Sequence, residues 1–122
     1  MKPHLALSVL APAGELIRSG RKTLEIRQWC PESIPLRDLV IVQNKNRLSR
    51  DGVTDDPDGE VMAIVDVESV EEWNENEMNE ACASCWEPGW MAWRLSSVRP
   101  VHLDGRFPAR LRIYSIDLPS WP

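Results

Sequence analysis

The chain has 122 residues and a formal net charge of −5, with 14 Lys and Arg against 19 Asp and Glu. That length suits one domain, residues 1–122, able to bury roughly two thirds of its unfolded surface without staples, and the negative balance argues against a surface that coats long nucleic acid. Three cysteines do not make a closed secreted disulfide framework, so a reduced compartment is expected for Cys30, Cys82 and Cys85.

In chain order, Leu5 to Leu10 is a short apolar run suited to a buried strand. Pro12 favours a helix start, Ala13, Leu16 and Ile17 give that helix an apolar stripe, and Ser19-Gly20 stops it. Thr23 to Trp29 reads as a strand with Thr23, Glu25 and Arg27 on one face and Leu24 and Ile26 turned to the core, with Lys22 at its entrance. Cys30 to Pro35 reads as a loop, and Leu39-Val40-Ile41-Val42 as a central strand. Asn44 to Gly59 is rich in Asn, Asp, Gly and Pro and is expected to be a long mobile loop. Val61 to Val67 is the next strand, and Val70 to Glu80 reads as an acidic surface helix contributing Val70, Trp73 and Met78 to packing. Trp90 to Val101 and Arg110 to Leu118 complete the sheet.

The pattern Gly20-x-Lys22-x-x-Glu25-x-Arg27 resembles the signature of the ASCH domain, a PUA-like β-barrel family. Leu5-Ala6-Leu7-Ser8-Val9 followed by Pro12 is similar to the family's first strand and helix start, and Ala92-Trp93-Arg94-Leu95-x-x-Val98-Arg99-Pro100 to its late strand. The resemblance, together with short strands and helices in long-range order, implies an α+β fold: a small PUA-like mixed β-barrel of about five to six strands with two or three short surface helices. Met1 to Leu5 leads into no long apolar run, and Arg18, Arg21 and Lys22 interrupt any signal or membrane segment, so the expected location is cytoplasmic, with no membrane contact.

Charge is segregated along the chain. Residues 1–50 hold nine Lys and Arg against four acids, residues 51–90 hold none against thirteen, and residues 91–122 hold five against two. If the first and last thirds pair as neighbouring strands, a basic face survives on an acidic protein and admits a nucleotide or a short single strand.

The residues expected to meet a ligand are Ser8, Lys22, Glu25, Arg27, Trp29, Lys45, Trp93, Arg94 and Arg99. A cleft lysine clamps phosphate or, when desolvated, acts as a base. Glu25 can orient Lys22, accept from a base amino group, or serve as general base, whereas the plainer reading of Lys22, Glu25 and Arg27 is an ion cluster that positions a loop. Six tryptophans against one Tyr and one Phe raise the prospect of base stacking. Trp29 and Trp93 are the two expected to face a ligand, and Trp73, Trp86, Trp90 and Trp121 are read as packing. Lys45, Arg47 and Arg50 are either phosphate contacts or solvated charge. Cys82-Ala83-Ser84-Cys85 has zinc-knuckle spacing but lacks two further ligands nearby, so neither metal nor cofactor is expected.

The resemblance implies RNA binding, or hydrolysis in some small stand-alone members, and no more specific activity follows from the fold. One branch removes the acetyl group from N4-acetylcytidine with a lysine, a threonine and a glutamate. Lys22 matches that lysine, but Glu25 stands where the threonine belongs. The leading expectation is a module binding single-stranded RNA or a modified nucleoside or nucleotide. A hydrolase of RNA or of N4-acetylcytidine type, with Lys22 and Glu25 catalytic, is the alternative, and a protein partner docking on the acidic segment 66–80 is a third.

Overall fold

The computed structural model describes residues 2–119. Seven strands and two short helices alternate in the order β1 (Lys2–Leu10), α1 (Ala13–Arg18), β2 (Leu24–Arg27), β3 (Leu36–Asn44), β4 (Asp55–Glu72), α2 (Met78–Ala81), β5 (Met91–Pro100), β6 (Phe107–Arg110) and β7 (Ile113–Leu118), with a 3-10 turn at Glu75–Glu77 leading into α2. The hydrogen-bonded path runs β2-β5-β4-β3-β1-β7, and β6 pairs with β4. β1 lies parallel to β3, and the other pairs are antiparallel. The sheet is mixed, as expected, but β2 and β7, at the two ends of its path, do not pair with one another among the described residues, so the path is not closed into the expected barrel, and it has more strands. Among the described residues no helix is long and apolar enough to cross a membrane.

β1, β3 and the centre of β4 are covered on both faces, which is why their sequences are continuous apolar runs rather than alternations. Leu7, Val9, Leu39, Ile41 and Val65 build one cluster with Ile17 of α1 and Trp93 of β5. Ala6, Val40, Val42 and Val61 build a second, closed by Ala109, Ile116 and Leu118. Leu24, Trp73, Ala81 and Ala92 form a third, small cluster under α2.

Two expectations fail on β4. Asp55 to Gly59 is not loop: it pairs with β6, Asp55 opposite Arg110 and Gly59 opposite Phe107, leaving only residues 45–54 as connection. At its other end the strand continues through Glu72, paired up to Met91, where the acidic composition suggested a helix. Helical character is confined to the 3-10 turn and the single turn of α2. Partnering along the whole length of β5 overrides the weak local preference of Val70 to Glu72. The 18-residue strand serves three partners by bending at irregularities between Ile64 and Asp66, Val67 and Ser69, and Asp56 and Gly59.

Candidate functional site

A cavity of about 590 Å³ opens where the end strand β2 meets α2, the loop after β3 and the β6–β7 turn. Gly20 aims the motif into it. With φ +83 it reverses the chain after α1, and the Leu16 carbonyl accepts from the N–H groups of both Arg21 and Lys22, so Lys22 leaves the helix end pointing inward. The Lys22 ammonium donates to the Ala81 carbonyl at the end of α2 (2.6 Å) and lies 3.5 Å from Glu25 Oε1. Arg27 holds the other oxygen, Glu25 Oε2, with Nε at 2.9 Å and Nη2 at 2.8 Å, and donates from Nη2 to the Ser8 carbonyl at 2.7 Å. Both Lys22 and Glu25 are buried. Four of the six buried polar residues, Ser8, Lys22, Glu25 and Asn44, line this one cavity, so the buried polarity of the described chain is concentrated there.

The charged face of β2 is therefore not a solvated one. Glu25 stands opposite Trp93 in the β2–β5 pair and shares its face, on the side of the main core, while Leu24 and Ile26 turn to the small cluster under α2. Because β2 ends the sheet path, side chains of both its faces reach the cavity: Glu25 and Arg27 from one, Ile26 from the other.

Of the other residues singled out in the sequence, Ser8 lines the cavity but its hydroxyl is engaged. It accepts from the Arg110 N–H (3.0 Å) and donates to Tyr114 Oη (3.0 Å), which donates to the Pro108 carbonyl (2.8 Å), tying β1 to β6 and β7. Burial pushes the Tyr114 phenol above its ordinary value, against the opposing effect of the Ser8 hydrogen bond. Trp93 is fully buried, its Nε1 donating to the Trp29 carbonyl, so it packs the core and offers no stacking surface. Trp29 lies outside the cavity, edge-on to Trp93 at 4.9 Å, with Arg112 over its ring at 4.1 Å. Lys45 is exposed and does not line the cavity. Arg94 pairs with Glu77 (3.3 Å), and Arg99 belongs to a remote network with Asp38 (2.5 Å) and Asp66 (2.7 Å), so neither joins the motif.

The structure brings in residues that the sequence reading took as packing, left open between phosphate contact and solvated charge, or passed over. Trp73 and Trp90 form part of the cavity wall, with the Trp73 N–H donating to the Trp90 carbonyl. Arg47 reaches the rim on a loop anchored by Asn44, whose Nδ2 donates to the Asn46 carbonyl, and by Asn46, which donates to Asp56 (3.0 Å). That loop is tied down rather than free: Leu48 packs on the second cluster and the Ser49 N–H donates to the Val53 carbonyl. Arg110 and Arg112 stand on either side of Leu111 at the β6–β7 turn, and their spacing of two was the one available signal. Five cations line the cavity, Lys22, Arg27, Arg47, Arg110 and Arg112, against Glu25 and Glu87, which reverses locally the sign of the whole chain. Cys82 and Cys85 sit on the wall as free thiols. Among the described residues no three His, Cys, Asp or Glu side chains group as a metal site.

The family model of the ASCH domain matches residues 7–105, a span that contains the whole Gly20 to Arg27 motif and β5. The chain belongs to the ASCH family. Its fold is similar to the crystal structure of ASCH from Zymomonas mobilis, with a TM-score of 0.53 and 20% identity over 88% of this chain and 73% of that one. It is also similar to the crystal structure of a tyrosine-to-phenylalanine mutant of that Zymomonas mobilis protein, with a TM-score of 0.50 and 18% identity over 88% and 75% of the two chains. No curated protein matches the chain. At these identities the likeness speaks for the ASCH architecture alone.

Proposed function

We propose that this ASCH domain binds single-stranded RNA by drawing one unpaired nucleotide into the cavity at Lys22, Glu25 and Arg27. The observation that carries the reading is the buried ion cluster itself, set in a mostly apolar pocket of a size typical for small-ligand sites. A base edge presents donors and acceptors together. Glu25 accepts from an exocyclic amino group, and Lys22 donates to a ring carbonyl. A duplex does not enter such a space, whereas an unstacked base does, and Trp73 and Trp90 supply aromatic wall. The excess of cations at the rim favours a phosphorylated ligand over a neutral one.

The hydrolase reading draws on the same pair, since a lysine and a carboxylate 3.5 Å apart in a cavity are the materials of acid–base catalysis. Against it, both Glu25 oxygens face cations, and Thr23, the nearest threonine, is exposed and absent from the cavity lining. The protein-docking reading loses much of its surface, because Trp73 is buried and Asp66, Glu68 and Glu77 of the 66–80 segment are paired with Arg37, Arg99 and Arg94.

Titrating wild type and Lys22→Ala with fluorescent single-stranded RNA at low and physiological salt, with product followed by chromatography in the same samples, tests the proposal. Binding that weakens with salt and is lost in Lys22→Ala, without product, supports it. Product beyond one equivalent from wild type alone replaces it with the hydrolase. Wild-type binding that Lys22→Ala leaves intact removes the cavity from the account.

A further inference from the structure

A second, smaller cavity of about 290 Å³ lies on the far side of Arg112, bounded by Trp29, Glu32, Ser33, Leu36 and Ile113 among others. Arg112 lines both cavities, which makes it the partition between them. Its guanidinium lies 4.1 Å from the centre of the Trp29 ring, and that indole is itself fixed edge-on against the buried Trp93. Its backbone is held at φ +59, a conformation that arginine rarely adopts, so the position of the side chain is imposed by the β6–β7 turn rather than by local preference.

The partition also carries charge that no carboxylate neutralises. Arg18, Arg27, Arg37, Arg94 and Arg99 are all ion-paired. Arg110 and Arg112, like Arg21, Arg47, Arg50 and Arg106, have no carboxylate partner among the described residues, and of these six only Arg112 lines both cavities. Arg112 at the junction and Arg110 on the wall of the larger cavity offer unneutralised charge to an anion that runs from one cavity to the other. A guanidinium plane backed by an indole is also a surface on which bases stack.

Building on the RNA reading above, we propose that the small cavity is a second base subsite, so that the protein recognises two consecutive nucleotides. The first base sits at Lys22 and Glu25, the linking phosphate at Arg110 and Arg112, and the second base against Arg112 and Trp29, with Glu32 and Ser33 facing its polar edge.

Competition titrations of wild type with 5′-mononucleotides and with dinucleotides of the four bases test this. The best dinucleotide is expected to bind at least about tenfold more tightly than the better of its two mononucleotides, the gain of one stacked base. Arg112→Gly suits the backbone at this position and removes the guanidinium, and Ser33→Trp fills the small cavity. Each is expected to reduce the ratio of dinucleotide to mononucleotide affinity to within about threefold, while Arg112→Lys keeps part of it by retaining the charge without the plane. Mononucleotides that bind as well as dinucleotides, in a manner still dependent on Lys22, overturn the second subsite and leave the RNA reading standing. A ratio that survives both Arg112→Gly and Ser33→Trp places the second nucleotide elsewhere and also overturns it. No binding of any nucleotide or of longer RNA overturns both proposals together.

Discussion

Glu25 and Trp93 stand directly opposite one another in the antiparallel pair of β2 and β5, so the carboxylate at the heart of the cavity and a fully buried indole share one face of the sheet. A charge so close to the core is tolerable only because it is matched. Lys22 faces one of its oxygens and Arg27 the other, and the Lys22 ammonium is further satisfied by the Ala81 carbonyl. The stability of the end strand and the RNA binding proposed above thus rest on the same three side chains.

Removing Glu25 should therefore be costly in the free protein. Glu25→Ala leaves two cations around a buried gap, and the expected loss is about 3–5 kcal/mol, the range found when one member of a buried pair is deleted. Denaturant unfolding of Glu25→Ala and of the double variant Glu25→Ala/Lys22→Met measures it. The double variant is expected to regain part of the loss, because one uncompensated charge goes as well. A single-variant loss below about 1 kcal/mol contradicts a buried, tightly matched cluster.

The two tryptophans of the β5 region should separate into different roles. Trp93→Ala is expected to destabilise the fold by about 3–5 kcal/mol, as large aromatic truncations in a packed core do, with no stacking function to lose. Trp90 is half-buried on the cavity wall. Its replacement by Ala should cost less stability and should weaken the binding of single-stranded RNA by roughly 1–3 kcal/mol, the worth of one stacked base. Paired melts and titrations of the two variants decide this, and the assignment fails if Trp93→Ala folds normally or if Trp90→Ala binds like wild type.

Where the sequence could be read and where it could not follows from how local each signal is. The end of α1 and the aim of Lys22 were legible because Gly20 at positive φ and the helix-stop pattern act within a few residues. The buried strands β1 and β3 were legible from their unbroken apolar runs. By contrast, the strand at Asp55 to Gly59 reads as polar loop because its pairing with β6 is long-range, and β6 itself is only four residues. Val70 to Glu72 looks helical from composition, yet their partners across β5 keep them extended. Trp93 and Trp90 have the same residue type and lie three positions apart, and only register tells them apart: Trp93 falls opposite Glu25 in the β2–β5 pair, whereas Trp90 precedes the first paired residue, Met91. Lys22, Glu25 and Arg27 of the motif line the cavity, whereas the turns that bring Arg47, Arg110 and Arg112 to the same cavity carry no such signature.

The ion network around Asp66 and Glu68 of β4 sets an expectation for acid stability. Burial pushes the Asp66 carboxyl up, but the Asp38 N–H hydrogen bond and the Arg99 and Arg37 guanidiniums outweigh it and hold Asp66 below its ordinary value of 3.8. Glu68 is held below 4.5, chiefly by its hydrogen bond from Arg37 and next by that from Ser96. For a carboxyl whose folded value is depressed, the unfolded chain binds more protons in the window between the two values. Its stabilising contribution is thus complete above about pH 4 to 4.5 and is lost as pH falls through the lower folded values. Asp66→Asn is expected to be less stable than wild type near neutrality, since it leaves Arg99 and Arg37 without their shared carboxylate. It is also expected to lose less stability than wild type between about pH 5 and about pH 2, because the titrating group is gone. Melting temperatures of the two proteins across that range test both points, and parallel acid limbs contradict the assignment of this window to Asp66.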